Sequence, residues 1–433
     1  MYDSVLNLPI LCPVLNRPSS VNPGQDLTSA DPCELLVLSD DYLSRHLMAL
    51  GVHLVQPETS SNRTDFHRKV WQSLADNLST LRGLPADVWF SEILFSVFNV
   101  KEKLNSKNAQ RLYDALSESL KLPEFRLLKL VEQFNIECLG LVESPTNPTI
   151  NLNRPPQNGS KIIPCFAPDA LFEMHRPTWC DQIEQLSHAC QIPITDYTSF
   201  RRAVQKQRQF FKSLGATTAI HSVSAGSVSF LTPADLDLIF ARAFRHEACL
   251  EDTLQFSAQM LLESAAMSID DNLVLQVQMQ QTYPQSRDQS SPLPSVNDLL
   301  HSAGFKALIE QYGQDPRLTI LLADEWSLNE EIVSMATMNP AIKIGTPRWI
   351  FTGLSTIQNH FEVSLEAIGL YKSAGLTVPH SSFLLLPFQH DIWRRSSADW
   401  LARLVCHGLL DLESAYEMIY ALAYGLTKSA YRL

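Results

Sequence analysis

Three apolar stretches in the middle of the chain decide the fold: IECLGLV at 136–142, KIIPCF at 161–166 and TTAIHSV at 217–223. Short runs of this kind, rich in β-branched residues, are typical of parallel strands that are buried on both faces. Five further runs lie outward from these three, at 8–14, 273–278, 318–323, 341–345 and 383–386. The sequence therefore predicts eight strands.

Amphipathic segments separate these runs. In 197–214, apolar residues such as Phe200 and Val204 recur at helical spacing. Helical patterns also occupy 233–244, 355–374, 397–406 and 412–427. Strands that alternate with helices predict an α/β fold of the (β/α)8 TIM-barrel type, because a right-handed crossover after each strand closes the sheet.

The stretch 17–135 interrupts this alternation with four helical patterns, at 64–82, 85–98, 108–119 and 124–135. We predict that it is a helical insertion subdomain after the first strand, and that 1–16 and 136–433 form the barrel. The loop after a barrel strand lies on the catalytic face, so the insertion is expected there.

Composition and charge narrow the class of protein. The 433 residues include 34 Lys and Arg against 46 Asp and Glu, a net charge of −12, which argues against nucleic-acid binding. No apolar run approaches the roughly 18 residues that span a bilayer, so no membrane association is predicted. The eight cysteines form no CxxC pair and indicate reduced thiols in a cytoplasmic protein. Charged residues make up only 18%, which hints at a homo-oligomer.

Candidate chemistry in a barrel follows the carboxyl ends of its strands. The polar and aromatic residues there are Glu143, Asp169, His221, Gln278, Asp324, Glu325, Arg348, Trp349, His390 and Asp391. The sequence has no His-x-His, HExxH, GxSxG, P-loop or GxGxxG motif, so common hydrolase and nucleotide-binding signatures are absent. The imidazoles and carboxylates among the candidates suit zinc or manganese, although their spacing is not diagnostic.

Each candidate also has a structural interpretation. His221 lies between apolar neighbours, a setting in which a histidine is more often a core residue than a functional one. The pair Asp324–Glu325 and the pair His390–Asp391 each match the capping region of a following helix. Arg348 and Trp349 either hold a carboxylate substrate or pack on the rim of the barrel.

The order of these segments resembles the uronate isomerases, which are barrel members of the amidohydrolase superfamily. CLGLVESP at 138–145 is similar to that family's second strand, and IPCFAPD at 163–169 to its third strand with a Pro-Asp turn. GATTAIH at 215–221 and GTPRWIF at 345–351 are similar to later strands, and 84–120 to the family's helical insertion.

This resemblance implies an aldose–ketose isomerisation of glucuronate or galacturonate with a divalent metal. It implies metal ligands from a His-x-His after strand one, from a histidine at strand five and from an aspartate after strand eight. Arginines would hold the carboxylate of the sugar acid.

The chain departs from that pattern at most of these places. Val14-Leu-Asn16 stands at the His-x-His position, Gln278 at strand five and Phe388-Gln-His390 at the strand-eight position. Ala167 replaces a turn arginine, Phe95-Ser96 replaces a basic pair, and Asp41-Tyr42 keeps only the tyrosine of a His-Tyr pair. No metal is expected at these positions, and His221 and Glu325 are weak alternative ligands.

Two hypotheses follow. The first is a uronate isomerase with a rebuilt site, in which His221, Asp324 and His390 are catalytic and Tyr42, Arg348 and Trp349 bind substrate. The second is a catalytically inactive relative that binds a ligand or acts as a scaffold, and the missing ligands favour it over the standard reaction. In either case the cations expected near a sugar acid are Arg348, Arg394 and Arg395.

Overall fold

Seven parallel strands form one curled sheet. The computed structural model describes residues 1–16, 31–54, 60–146, 159–223, 231–279, 303–323, 330–347, 350–377 and 383–433. Within these ranges the strands pair in chain order. They are β1 Ile10–Leu15, β2 Ile136–Glu143, β3 Lys161–Phe166, β4 Thr218–Val223, β5 Val274–Met279, β6 Ile320–Leu322 and β7 Ile342–Ile344. The prediction of an α/β barrel-type fold is confirmed.

The helices lie between the strands, mostly where helical patterns predict them. They are α1 Tyr2–Val5, α2 Asp41–Ala49, α3 Ser60–Asn77, α4 Pro85–Ser96, α5 Ala109–Leu120, α6 Leu127–Gln133, α7 Trp179–Cys190, α8 Tyr197–Ser213, α9 Pro233–Phe244, α10 Leu250–Asp271, α11 Ala303–Tyr312, α12 Glu330–Met338, α13 Leu354–Asn359, α14 Glu366–Ile368, α15 Leu386–Cys406, α16 Leu412–Tyr420 and α17 Leu426–Tyr431. None of the helices in the described ranges is long and apolar enough to cross a membrane.

The prediction of an eighth strand at 383–386 is wrong. Phe383–Leu385 is a 3-10 turn that leads directly into α15, which has a proline in its first turn. A short apolar run does not distinguish a strand from the buried start of a helix, and proline is well suited to the first turn.

The segment 373–377 takes the eighth position instead. The Ala374 amide donates to the Ile344 carbonyl over 2.8 Å, and Ser373 forms a parallel bridge with Ile344. Beyond β7, the Thr346 and Thr377 amides each donate to the other residue's hydroxyl, over 2.9 and 3.0 Å. The carboxyl end of the eighth position therefore follows Thr377, where 378–382 lie outside the described residues.

The interior of the barrel is filled by alternate residues of the strands. Five strands each place one residue in an apolar cluster that also contains Ala374 and Tyr431. These strand residues are Val14, Cys165, Ile220, Val274 and Leu321. The Tyr431 hydroxyl donates to the side-chain oxygen of Gln276 over 2.8 Å, so α17 helps to fill the barrel. At Gly140 a Cβ atom would lie 1.9 Å from the Pro13 carbonyl oxygen, so β2 requires glycine where it passes β1.

Helices cover the outer face of the sheet. Outward residues of β1 and β2, such as Cys12 and Leu139, share one apolar cluster with the helices of 31–135, here called the helical segment. Outward residues of β5 to β7 pack instead against α10, α11 and α12. The division of the chain into a barrel and an insertion subdomain stays a prediction.

Candidate functional site

Side chains that point inward from the carboxyl ends of the strands form the mouth of the barrel. Ile220 lies in the interior cluster, so Ser222, two residues later in β4, points the same way. In β5, Gln276 reaches the interior Tyr431, and Gln278 is the next residue on that face. Val142 and Ala167 complete this layer beside β2 and β3. We define the mouth of the barrel by these four inward-facing residues: Val142, Ala167, Ser222 and Gln278.

Three residues from neighbouring strands form a hydrogen-bonded chain at the mouth. Asp169 begins a 3-10 turn just after β3 and accepts a hydrogen bond from the Ser222 amide over 3.1 Å. The Gln278 side-chain nitrogen donates to the Ser222 hydroxyl oxygen over 3.2 Å. Asp169, Ser222 and Gln278 are called the polar chain below, and together they offer carboxyl, hydroxyl and amide groups.

The electrostatics of the polar chain favour a neutral carboxyl group. Burial raises the pKa of Asp169, and hydrogen bonds from the Ser222 hydroxyl and amide lower that pKa by less. In the part of the chain that the structure describes, no cation contributes to the pKa of Asp169. Its carboxyl group is therefore held in position by neutral donors, and its proton is not displaced by an ion pair.

The structure places His221 on the opposite face of β4 from the mouth. Its ring lies 5.2 Å from the Phe172 ring, in the layer between the sheet and α10, and it is hydrogen-bonded to the Ser257 backbone. Burial lowers the pKa of His221 to about 3, so the imidazole is neutral at physiological pH. This geometry is that of a packed core histidine and does not bring His221 to the polar chain.

His390 and Phe388 lie in α15, so their assignment to the end of an eighth strand is wrong. His390 is buried, and neither ring nitrogen has a hydrogen-bond partner among the residues that the structure describes. Burial lowers its pKa to about 3, and the nearby Arg394 acts in the same direction. The ring packs as a neutral group in a helix that lies beside β1.

Two cations expected to hold a sugar acid are engaged elsewhere. Arg394 donates to the carbonyl oxygens of Leu6 (2.9 Å) and Leu8 (2.8 Å), at the start of the chain. Arg395 lies over the Tyr2 ring and pairs with Asp391 over 2.7 Å. Both guanidinium groups fix α15 to the amino terminus and do not lie at the mouth.

The remaining sequence candidates divide into two groups. Tyr42, in α2, is partly buried against the apolar cluster of the helical segment, and Asn16 follows β1 directly. Four candidates lie outside the described residues: Asp324, Glu325, Arg348 and Trp349. Their proposed roles stay predictions.

The donors at the expected metal positions do not fit zinc or manganese. Val14 is buried in the interior cluster and offers no ligand atom, while the side-chain nitrogen of Gln278 is bound to Ser222. Among the described residues, no group of three His, Cys, Asp or Glu side chains lies close enough together to hold an ion. Zinc and manganese sites combine several imidazole, thiolate or carboxylate ligands, and the described polar chain supplies a single carboxyl group, that of Asp169.

The glucuronate isomerase family model matches the chain over residues 25–431. The chain belongs to this family. It is 31% identical to the uronate isomerase of Nostoc punctiforme, covering all of this chain and 94% of the relative. It is 32% identical to that of Brucella melitensis, covering all of this chain and 96% of the relative.

Solved structures of the family share the fold. The glucuronate isomerase of Caulobacter crescentus superimposes with a TM-score of 0.82 at 28% identity, over all of this chain and 92% of that one. The uronate isomerase of Thermotoga maritima gives a TM-score of 0.81 at 20% identity, over 99% of this chain and 96% of that one. The barrel-type architecture is therefore that of uronate isomerases.

Proposed function

We propose that the chain binds a hexuronate at the barrel mouth and catalyses its aldose–ketose isomerisation. The observation that carries the proposal is the polar chain, at the carboxyl ends of β3, β4 and β5 of a uronate isomerase-family barrel. Hydroxyl, amide and carboxyl groups are the partners that sugar hydroxyls and carbonyls require. The names of the relatives support a hexuronate as the substrate.

The reaction needs no outside oxidant or reductant. One proton leaves C2 of the aldose and is returned to C1, and one hydroxyl proton passes from O2 to O1, so the atoms and electrons balance. A base of suitable strength and hydrogen-bond donors to the carbonyl oxygen are the minimum requirements for an enediol route. Because the described residues do not fit a metal site, the proposal assigns these tasks to protein side chains.

A second candidate function is hexuronate binding without turnover. It is favoured by Val14, whose apolar side chain fills the barrel interior where the family resemblance implies a metal-binding imidazole. In that case the mouth would keep its hydrogen-bonding groups for recognition alone.

The two functions are separated by one pair of measurements on the purified full-length chain. Glucuronate and galacturonate are supplied separately, the ketose product is followed by NMR, and binding is followed by calorimetry. Turnover that persists with a chelator supports the isomerase proposal. Binding without turnover, with zinc or manganese supplied, supports the second function, and the absence of binding contradicts both.

A cytoplasmic location belongs to the same proposal. All eight cysteines are free thiols, and five of them are buried. Such thiols are typical of proteins in a reducing compartment.

A further inference from the structure

One carboxyl group is held at the mouth by geometry that suits proton transfer. One carboxyl oxygen of Asp169 accepts a hydrogen bond from the backbone amide of Ser222 in the neighbouring strand, and this bond fixes the orientation of the carboxyl group. The residue retains partial exposure, unlike His221, which is 1% exposed behind β4. A carboxyl group that has no ion pair among the described residues is free to gain and lose a proton.

The neighbours of Asp169 fix its position and do not neutralise it. Gln278 donates to the Ser222 hydroxyl oxygen, which directs the hydroxyl proton away from Gln278 and towards Asp169. Ser222 and Gln278 face each other across β4 and β5 in the sheet register, so the two strands hold this arrangement. The hydroxyl and amide are thus placed beside the carboxyl group, where a bound carbonyl oxygen would also find donors.

Resting on the proposed function, we propose that Asp169 is the residue that transfers the proton between C2 and C1, with Ser222 and Gln278 as positioning residues. The carboxylate takes the proton from C2, and an enediolate forms with its charge on O1. The O2 hydroxyl proton passes to O1, and the resulting carboxylic acid returns the carried proton to C1 as O2 becomes the ketone oxygen. The carboxylate is regenerated, and no co-reactant is consumed.

The burial of Asp169 supports this role. A base poised nearer to neutral pH than an ordinary aspartate removes and returns a carbon-bound proton more effectively. The direction of the shift, a raised pKa, is the direction that this chemistry requires.

The test compares the wild-type chain with the variant Asp169→Asn. The asparagine keeps a side-chain oxygen that can accept the hydrogen bond from the Ser222 backbone amide. Solvent exchange at C2 in deuterium oxide and ketose formation are measured by NMR, and glucuronate binding by calorimetry. We expect both rates to fall by at least about 100-fold, the usual contribution of a general base, while the binding constant changes by less than about threefold.

Two variants control this result. Asp235→Asn changes an exposed carboxylate that caps α9 with Thr232, and it should keep the rate of the wild type. Ser222→Ala should lower kcat and shift the pH profile of kcat while Asp169 remains, because the carboxyl group loses the hydrogen bond from the Ser222 hydroxyl and keeps only the bond from the backbone amide.

The outcomes are distinguishable. A wild-type chain that isomerises, with an Asp169→Asn variant that keeps its rate within about threefold, overturns the role of Asp169 and leaves the proposed function intact. A wild-type chain that binds glucuronate but neither isomerises nor exchanges the C2 proton overturns the proposed function and the role of Asp169 together.

Discussion

Asp31 in the helical segment and Asp169 in the barrel are two buried carboxyl groups that are held in opposite ways. In the helical segment, Asp31 accepts hydrogen bonds from the Cys33 amide (2.8 Å) and from the Tyr113 hydroxyl, and it contacts the His67 ring nitrogen over 3.2 Å. Burial raises the pKa of Asp31, but the hydrogen bonds from His67 and Tyr113 outweigh burial, and the pKa lies below its usual value. The segment therefore buries a charge together with its partners.

At four described positions of the barrel, burial favours the neutral form instead. Burial raises the pKa of Asp169 and lowers that of His221 and His390 to about 3 and that of His360 to about 4. Each of these shifts disfavours the charged form. Asp31 therefore joins secondary-structure elements, whereas no ion pair among the described residues fixes the protonation state of Asp169.

The largest expected effect is the loss of stability at acid pH, which three buried histidines among the described residues of the barrel cause: His221, His360 and His390. The unfolded chain binds protons at these rings below a pKa of about 6.5, whereas the folded chain does so only near 3 to 4. Stability is therefore lost as the pH falls below about 6.5. At up to about 1.4 kcal/mol per pH unit and histidine, the free energy of unfolding should drop by about 5 kcal/mol between pH 7 and pH 5.

Urea unfolding followed by circular dichroism at pH 7, 6 and 5 measures this drop. His360→Gln should reduce the slope of stability against pH, whereas His188→Gln, at a ring that is 83% exposed, should leave it unchanged. A free energy of unfolding that stays constant from pH 7 to pH 5 would contradict the neutral burial of these rings.

The second expected effect is the loss of stability in Asp31→Asn. The amide keeps the shape of the side chain but removes the charge that binds Tyr113 and His67, and hydrogen bonds to charged groups contribute about 1.5–3 kcal/mol. We expect the free energy of unfolding at pH 7 to fall by about 2–3 kcal/mol in urea titrations. The control Tyr113→Phe removes one hydrogen bond and should cost about 1 kcal/mol. A larger loss in Tyr113→Phe than in Asp31→Asn would show that the charge of Asp31 is not the stabilising element.

The sheet could be predicted from the sequence because parallel strands leave a local signature. β3 occupies the predicted 161–166, and β1 lies within one or two residues of 8–14 even though Pro13 interrupts it. The strand register shifts between Cys12 and Leu15, so a residue without an amide proton is accommodated there. The prediction of a strand at 383–386 failed because these apolar residues are buried at the start of a helix, and a buried helix start has the same local pattern as a buried strand.

The site was less predictable than the sheet. Alternation along a strand shows which residues share a face, but it does not show which of the two faces points into the barrel. His221 and Ser222 are adjacent in β4, and only the packing of Ile220 in the interior shows that Ser222 faces the mouth. Asp169 was evident as a polar residue after the third strand, but its contact with Ser222 joins residues 53 positions apart. The cluster of Asp31, His67 and Tyr113 left no local signal either, since its members are far apart in the sequence.

The smallest expected effect is a gain of stability in Asp169→Asn, and it tests the comparison most directly. A carboxyl group with a raised pKa in the folded chain stabilises the fold while it is protonated, and this contribution is lost as the pH rises through that pKa. At pH 7 the neutral side chain of the Asp169→Asn variant avoids the cost of a buried charge, and its oxygen still accepts a hydrogen bond from the Ser222 backbone amide. We therefore expect the free energy of unfolding to rise by about 0.5–2 kcal/mol. The gain should shrink as the pH is lowered, because the wild-type carboxyl group then becomes neutral as well. Urea titrations at pH 7.5 and 6 measure it, and the same Asp-to-Asn change at Asp31 serves as a control with the opposite sign. If both substitutions destabilise the chain equally, the two carboxyl groups are both structural, and the contrast between the helical segment and the barrel mouth is lost.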